Sequence, residues 1–136
     1  MIKKHIDWFF LSLILFVFSP YSLSLAADIS KEVLKVSRST LCTGVEDREP
    51  VGARDEEKPV FLGIDKIYFW TEIKTTNFPT KINHIWMKEG KEMARVELSI
   101  NYPRTRTWSS KNIWPGDWEV KAVTQSGDVL ATARSK

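Results

Sequence analysis

The residues from Arg104 to Val120, RTRTWSSKNIWPGDWEV, bring three tryptophans within eleven positions together with two arginines and one lysine. Indole rings offer flat apolar faces to sugars and proteins, and a guanidinium is a planar fork that fits carboxylates and phosphates. Because alternate side chains of a strand point to the same side, one face would hold Arg104, Arg106, Trp108 and Ser110. The spacing predicts a binding face with Arg106 and Trp108 at its centre.

Four further residues extend this candidate binding site. Lys111 and Trp114 add another basic and another aromatic side chain. Trp114 precedes Pro115 in a loop, where its ring would be exposed or would cover an edge of a sheet. His84 and Trp86 lie two positions apart in NHIWM, so they share one side of a strand. All four are included as tentative binding residues.

The length of the turn after this strand decides where His84 and Trp86 point. A loop of two or four residues sets them among polar neighbours such as Arg95, on the solvent side. A loop of three residues sets them beside the set that includes Val96, in the core. Both arrangements are open at this point, and a lone histidine in a core is commonly hydrogen-bonded by its neighbours.

No spacing in the chain predicts a catalytic set. A nucleophilic serine or cysteine needs a base within reach, yet the sequence has neither a Gly-x-Ser-x-Gly elbow nor a Ser-x-x-Lys pair. Ser109 and Lys111 would point to one side of their strand and Ser110 to the other, as expected of cross-strand hydrogen-bonding groups. A hydrolase that uses His84 would require this ring to lie near Ser110 or near a carboxylate in a cleft.

Metal and cofactor chemistry are not predicted either. After residue 26 the chain holds one histidine and one cysteine, too few for a zinc or iron site. The carboxylates of residues 46–57 lack the spacing and the glycine of a known calcium loop. The formal charge of +3, which falls to +2 without the first 26 residues, is too small to steer nucleic acid strongly, so no nucleic-acid partner is predicted.

Residues 1–26 have the layout of a secretory signal peptide. Lys3 and Lys4 precede an apolar run from Trp8 to Phe18, and small residues follow around Ala26. Eleven apolar residues span roughly 16 Å as a helix, about half of the hydrocarbon layer of a membrane, so cleavage near Ala26 is expected. An uncleaved segment that anchors the protein in the inner membrane is the alternative. The remainder is expected to be periplasmic or secreted, with membrane contact only through this segment.

Beyond residue 26, period-two patterns predict strands. Residues 32–42 form a first strand, in which Cys42, the single cysteine, is a buried thiol or pairs with another chain. Residues 44–60 combine charges, prolines and glycines, which indicates a long loop or hinge, with either a short edge strand near Val60 to Leu62 or real mobility. DKIYFWTEI, residues 65–73, is apolar in both alternating sets, so both sides of this strand should be covered.

Two hairpins complete the predicted fold. The first turns at Glu89-Gly90-Lys91, and the second turns near Gly127. About seven short strands predict an all-β fold, a small antiparallel β-sandwich that is immunoglobulin-like in outline. Residues 65–136 would form the sandwich, and residues 27–64 would add the first strand and the long charged loop, most simply within the same domain.

Several motifs in this order resemble a bacterial envelope family of unknown function. They are His84-x-Trp86, Arg-Thr-Arg-Thr-Trp-Ser-Ser-Lys at 104–111, Gly-Asp-Trp-Glu-Val at 116–120 and Gly-Asp-Val-Leu at 127–130, with Arg-Glu-Pro at 48–50 upstream. Together they resemble the domain-of-unknown-function family 2914, DUF2914, over residues 65–132 and loosely over residues 32–50. The resemblance implies a small exported or membrane-tethered β-module without an assigned reaction.

The function expected from these features is recognition and not catalysis. A surplus of aromatic and arginine side chains without a catalytic set favours a non-catalytic binding or accessory module of the bacterial envelope, whose partner is a glycan or a protein. A purely structural spacer or subunit, with every tryptophan in the core, is the first alternative. A hydrolase that uses His84 is the second.

Overall fold

The computed structural model describes residues 33–53 and 65–135, and every regular element in these two ranges is a β-strand. Eight strands follow in chain order: β1 (Leu34–Glu46), β2 (Glu49–Ala53), β3 (Asp65–Thr75), β4 (Thr80–Lys88), β5 (Lys91–Ile100), β6 (Arg104–Ile113), β7 (Trp118–Thr124) and β8 (Val129–Ser135). The predicted all-β class is confirmed. The described residues hold one strand more than the predicted seven, because the sequence pattern does not reveal β2.

The strands form two antiparallel sheets of four strands each. The first sheet has the order β2-β1-β3-β6, and the second sheet has the order β5-β4-β7-β8. With β2 set aside, β1, β3 and β6 take the places of immunoglobulin strands A, B and E, and β5, β4, β7 and β8 take those of C′, C, F and G. The predicted sandwich with an immunoglobulin-like outline is therefore confirmed.

Strand β3 is covered on both sides, as its two apolar sets predict. Ile67, Phe69 and Ile73 point between the sheets and are at most 1 % exposed. On the outward side, Trp70 is also only 1 % exposed. The β1–β2 hairpin lies over this ring, because the carbonyl oxygen of Arg48 accepts a hydrogen bond of 2.9 Å from the indole of Trp70.

The hairpin of β4 and β5 places His84 and Trp86 in the core. Its turn, Glu89-Gly90, has two residues with φ of 51° and 76°, but a β-bulge after Trp86 shifts the register by one position. His84 therefore lies opposite Val96, as a three-residue loop would have placed it. Both side chains are at most 1 % exposed, so the solvent-facing alternative is wrong. Trp86 lies on the equivalent of strand C, where antibody domains carry their buried tryptophan.

The prediction of a long loop is wrong for residues 44–53, which form the end of β1, a turn and β2. Strand β1 continues to Glu46, and β2 folds back on it through a two-residue turn at Asp47 and Arg48. The φ angles of these two residues, 49° and 63°, are left-handed, as a tight hairpin turn of this kind requires. Residues 44–53 are thus strand, despite their charges, because they pair with each other in a hairpin.

Cys42 is a buried thiol in β1, as predicted, and its side chain is inaccessible to solvent. Burial raises the pKa of this thiol above its usual value. The predicted signal peptide of residues 1–26, the edge strand near Val60 and the domain boundaries at residues 26 and 64 lie outside the described residues. In the two described ranges, no helix is long and apolar enough to cross a membrane.

Candidate binding face

The structure places the eight predicted site residues in three different parts of the sandwich. The outward side of β6 carries four of them: Arg104, Arg106, Trp108 and Ser110. His84 and Trp86 lie between the two sheets. Lys111 and Trp114 lie at the end of the sandwich, near Trp118. Only the first four therefore share a face.

Strand β6 pairs with β3 over its whole length without a bulge, so the outward side chains of the two strands form regular rows. Trp108 lies opposite Trp70, and Arg106 lies opposite Glu72. Side chains directly opposite each other on one face are close neighbours. Trp108 is half-buried, whereas Trp70 is covered. A partly exposed ring thus stands beside a buried one at the centre of the outward face of β3 and β6.

Glu72 organises the charges of this face. Its carboxylate is 5 % exposed and accepts hydrogen bonds from Ser37 at 2.7 Å, from Arg38 at 3.2 Å and from Arg104 at 2.6 and 2.8 Å. The hydroxyl of Ser37 and the two guanidinium groups favour the ionised form and hold the pKa of Glu72 at about 2. The carboxylate therefore stays charged at neutral pH and fixes the direction of both arginines.

A second carboxylate reaches the same group of arginines from the β1–β2 hairpin. Glu49 accepts hydrogen bonds of 3.0 and 3.2 Å from Arg38 and one of 2.8 Å from Arg106. The guanidinium groups, Arg38 first, lower the pKa of Glu49, while the Glu49 carboxylate is the main cause that raises the pKa of Arg38. In contrast to Glu72, the Glu49 side chain is 41 % exposed. We call the connected set of side chains the arginine cluster: Arg38, Glu49, Glu72, Arg104 and Arg106.

The turn of the β1–β2 hairpin joins this cluster to the tryptophans. The Arg48 guanidinium donates a hydrogen bond of 3.4 Å to the carbonyl oxygen of Arg106, and the Arg48 carbonyl binds the Trp70 indole. The guanidinium carbon of Arg38 lies 4.7 Å from the centroid of a Trp70 ring, a cation–π distance. The hairpin thus spans the outward face from β1 to β6.

Sequence reasoning missed the residues that support this face, namely Arg38, Glu49, Trp70 and Glu72. One signal was present, because Trp70 and Glu72 belong to the same alternating set of DKIYFWTEI. That set predicts a covered side of β3 but does not show which strand lies beside it. The pairing of β3 with β6 brings the two sets of residues together.

His84 belongs to a hydrogen-bond network sealed between the sheets. Its Nδ1 lies 2.7 Å from the hydroxyl of Ser109, and its Nε2 lies 3.2 Å from the hydroxyl of Thr71. Trp86 donates to the same Ser109 oxygen at 3.0 Å, and Thr71 donates to the carbonyl oxygen of Thr107 at 3.1 Å. A neutral imidazole with its proton on Nε2 satisfies every member, since Ser109 then donates to Nδ1.

The network is buried and holds the imidazole of His84 in its neutral form. Burial lowers the pKa of His84 to about 3, so the ring is neutral at pH 7, and the Phe69 ring packs against it at a centroid distance of 4.6 Å. Ser109, its partner, is only 6 % exposed, while Ser110 points to the opposite side of β6. Among the described residues, the side-chain hydrogen-bond partners of His84 are Ser109 and Thr71.

Lys111 and Trp114 belong to a separate aromatic cluster at the end of the sandwich. The rings of Trp114 and Trp118 meet edge to face at 5.0 Å, and the Trp118 indole donates to the Trp114 carbonyl at 2.7 Å. The ammonium groups of Lys88 and Lys111 lie 5.7 and 5.9 Å from the Trp114 ring. Trp114 is 36 % exposed and covers the end of β7, in agreement with its predicted place in a loop.

Other features of the described residues do not coincide with the predicted site. No group of three His, Cys, Asp or Glu residues in the two described ranges could hold a metal ion. A cavity of about 370 Å³ lies at one end of the second sheet, beside the β4–β5 turn, the start of β7 and the end of β8. Its lining residues are Gly90, Asp117, Trp118, Glu119, Arg134 and Ser135, none of which is among the eight predicted residues.

Residues 79–135 match the model of a family described as a protein of unknown function, DUF2914. The chain resembles DUF2914 over these residues. The resemblance inferred from the sequence motifs is thereby confirmed for this part of the chain. The DUF2914 match spans the whole second sheet and strand β6, with Arg104, Arg106 and Trp108, and leaves β1, β2 and β3 outside. No curated protein matches the chain.

Proposed function

We propose that the domain is a non-catalytic binding module of the bacterial envelope, which recognises a glycan or a partner protein on the outward face of β3 and β6. The observation that carries the proposal is the half-buried ring of Trp108 beside arginines that Glu49 and Glu72 already hold in position. Side chains that are ordered before binding lose little conformational freedom when a partner arrives. Recognition by this face therefore starts from Arg104 and Arg106 side chains that are already oriented.

The charge balance of the face favours an anionic partner. The outward side chains of β1, β3 and β6 include six cations: Lys35, Arg38, Lys66, Lys74, Arg104 and Arg106. Three carboxylates, Glu46, Glu49 and Glu72, lie among these described groups. The surplus of positive charge attracts carboxylates or phosphates, and the planar guanidinium groups bind them with defined geometry.

The proposal is tested by isothermal titration of the protein with peptidoglycan fragments and other envelope glycans, together with capture of proteins from an envelope extract. Trp108→Ala and Arg106→Ala should weaken binding on the order of tenfold or more, as expected of central anchor residues. Arg95→Ala is the matched control, because Arg95 forms an exposed pair with Glu92 on the second sheet. The proposal is wrong if no glycan and no protein binds the wild-type domain.

A structural spacer is the second candidate, and the position of the other tryptophans favours it. Trp70, Trp86 and Trp118 are at most 3 % exposed and contribute to packing. In a spacer, Trp108 would also serve only stability, so Trp108→Ala would change the unfolding free energy and leave every binding signal unchanged. Parallel titration and urea unfolding of this variant separate the two functions.

A further inference from the structure

We propose that Glu49 occupies the place of a ligand carboxylate, and that the face of β3 and β6 takes an acidic glycan whose carboxylates displace Glu49 from Arg38 and Arg106. The inference rests on the proposed function and names both the ligand class and an internal competitor. The β1–β2 hairpin is then a built-in cover that the ligand moves aside.

The contacts of Glu49 are those that a free carboxylate would make. Arg38 binds both carboxylate oxygens through its two terminal nitrogens, and Arg106 binds one of them. This two-point arrangement is the preferred geometry between a guanidinium and any carboxylate, including that of a uronic acid. The Glu49 side chain is 41 % exposed, so an incoming carboxylate can reach the same nitrogen atoms from solvent.

Glu72 is buried where Glu49 is exposed, so a ligand carboxylate can replace Glu49 but not Glu72. Its side chain is 5 % exposed and also accepts a hydrogen bond from Ser37. Replacing it would bury a foreign carboxylate beneath the hairpin, which is unfavourable. A half-exposed ion pair, by contrast, contributes little net stability, so one carboxylate can replace another there at little cost. Glu72 therefore keeps Arg104 and Arg38 in place while Glu49 leaves.

Displacement of Glu49 would also change the aromatic surface. The hairpin turn covers Trp70 through the carbonyl of Arg48, and Trp70 lies opposite the half-buried Trp108. Two non-glycine residues, Asp47 and Arg48, take left-handed backbone conformations in this turn, which are less favourable than for glycine. Withdrawal of the turn would expose two neighbouring indole rings, a platform that suits sugar rings.

Titration with oligogalacturonate, a carboxylated glycan, provides the test. The full chain and its Glu49→Gln variant are compared, and the variant should bind on the order of tenfold more tightly because the internal competitor has lost its charge. Glu97→Gln is the matched control, since Glu97 pairs with Lys81 on the other sheet and its loss changes the net charge equally. Equal strengthening by both substitutions would reduce the effect to net charge and overturn the inference, as would unchanged affinity of Glu49→Gln.

Hydrogen exchange and two further ligands identify the mechanism and the ligand class. Oligogalacturonate should accelerate amide exchange in residues 44–53, and unchanged exchange in a saturated complex would overturn displacement of the hairpin. Poly-L-glutamate or a neutral maltooligosaccharide that binds as tightly as oligogalacturonate would overturn the assignment to acidic glycans. If envelope fragments bind but oligogalacturonate does not, only this inference fails. If neither binds and no protein is captured, the proposed function fails as well.

Discussion

The outward faces of the two sheets use charged residues in different ways. The second sheet carries four ion pairs of 2.8 to 3.1 Å, in which every side chain is at least 24 % exposed: Lys81–Glu97, Arg95–Glu92, Lys121–Glu119 and Arg134–Glu119. The first sheet joins three arginines and two glutamates into the arginine cluster around Glu72, whose side chain is 5 % exposed, and covers part of this cluster with a hairpin.

This difference in the burial of the ion pairs shows which of the two faces has side chains in fixed positions before a partner binds. Exposed pairs are screened by salt and contribute little, so the second face is charged but not fixed in geometry. On the first face, a buried carboxylate and a covered tryptophan determine where the arginines point. Substitutions that act on these two groups should therefore affect the first face far more strongly than equivalent substitutions affect the second.

The largest difference is expected for the covered ring. Trp70→Ala should lower the free energy of unfolding by about 3 to 5 kcal/mol, because Trp70 is 1 % exposed and holds the hairpin through its indole. Met87→Ala on the half-buried outward side of β4 should cost about 1 kcal/mol. Urea unfolding at pH 7 measures both values. Similar losses for the two variants would remove the distinction between the faces.

A smaller difference is expected for the central carboxylates. Glu72→Gln should cost about 2 kcal/mol, since charge-assisted hydrogen bonds to Arg38 and Arg104 are lost while both arginines can return to water. Glu119→Gln should cost less than about 1 kcal/mol, because its partners Lys121 and Arg134 are exposed. The same unfolding experiment, repeated in high salt, should reduce the second cost more than the first.

The acid dependence of stability should separate Glu72 from His84. The pKa of Glu72 is lowered to about 2 from 4.5, so its contribution is complete above pH 4.5 and is lost as the pH falls towards 2. The pKa of His84 is lowered to about 3 from 6.5, so its contribution is lost between pH 6.5 and 3. Unfolding curves of wild type and Glu72→Gln should therefore converge near pH 2, while both retain the loss that begins below pH 6.5. A constant gap down to pH 2 would contradict this assignment.

The smallest difference between the two faces is expected for the half-buried ring of Trp108. Trp108→Ala should lower the free energy of unfolding by about 1 kcal/mol, because its side chain is only half-buried. Arg95→Ala, the exposed control on the second sheet, should change it by less than about 0.5 kcal/mol. Thermal unfolding followed by circular dichroism is sufficient for both. A loss as large as that of Trp70→Ala would place Trp108 among the core residues.

Period-two patterns predicted the class of the fold and the shared side of Arg106 and Trp108, because alternation along a strand is a local property. They also predicted that β3 is covered on both sides. The identity of the cover was not predictable in this way, because residues 44–53 become strand only through pairing within their hairpin. Charge and glycine content alone indicated a loop there.

Two other features depended on geometry that no local pattern contains. The position of His84 and Trp86 was decided by a single β-bulge, which changes the register by one residue and moves both side chains to the other face. The partnership of Glu72 with Arg104 depends on the order of strands in the sheet, since these residues are far apart in the chain. Both features follow from pairing between distant segments.

The hydrogen bonds that run from Trp86 through Ser109, His84 and Thr71 to Thr107 connect residues of both sheets. Aliphatic side chains pack acceptably in several alignments of one sheet on another, because dispersion has little directionality. Hydrogen bonds of 2.7 to 3.2 Å do not tolerate such sliding, and a displaced sheet would leave buried polar groups without partners. The hydrogen bonds of His84 thus favour a single alignment of the two sheets. A wholly apolar interior would accept several alignments.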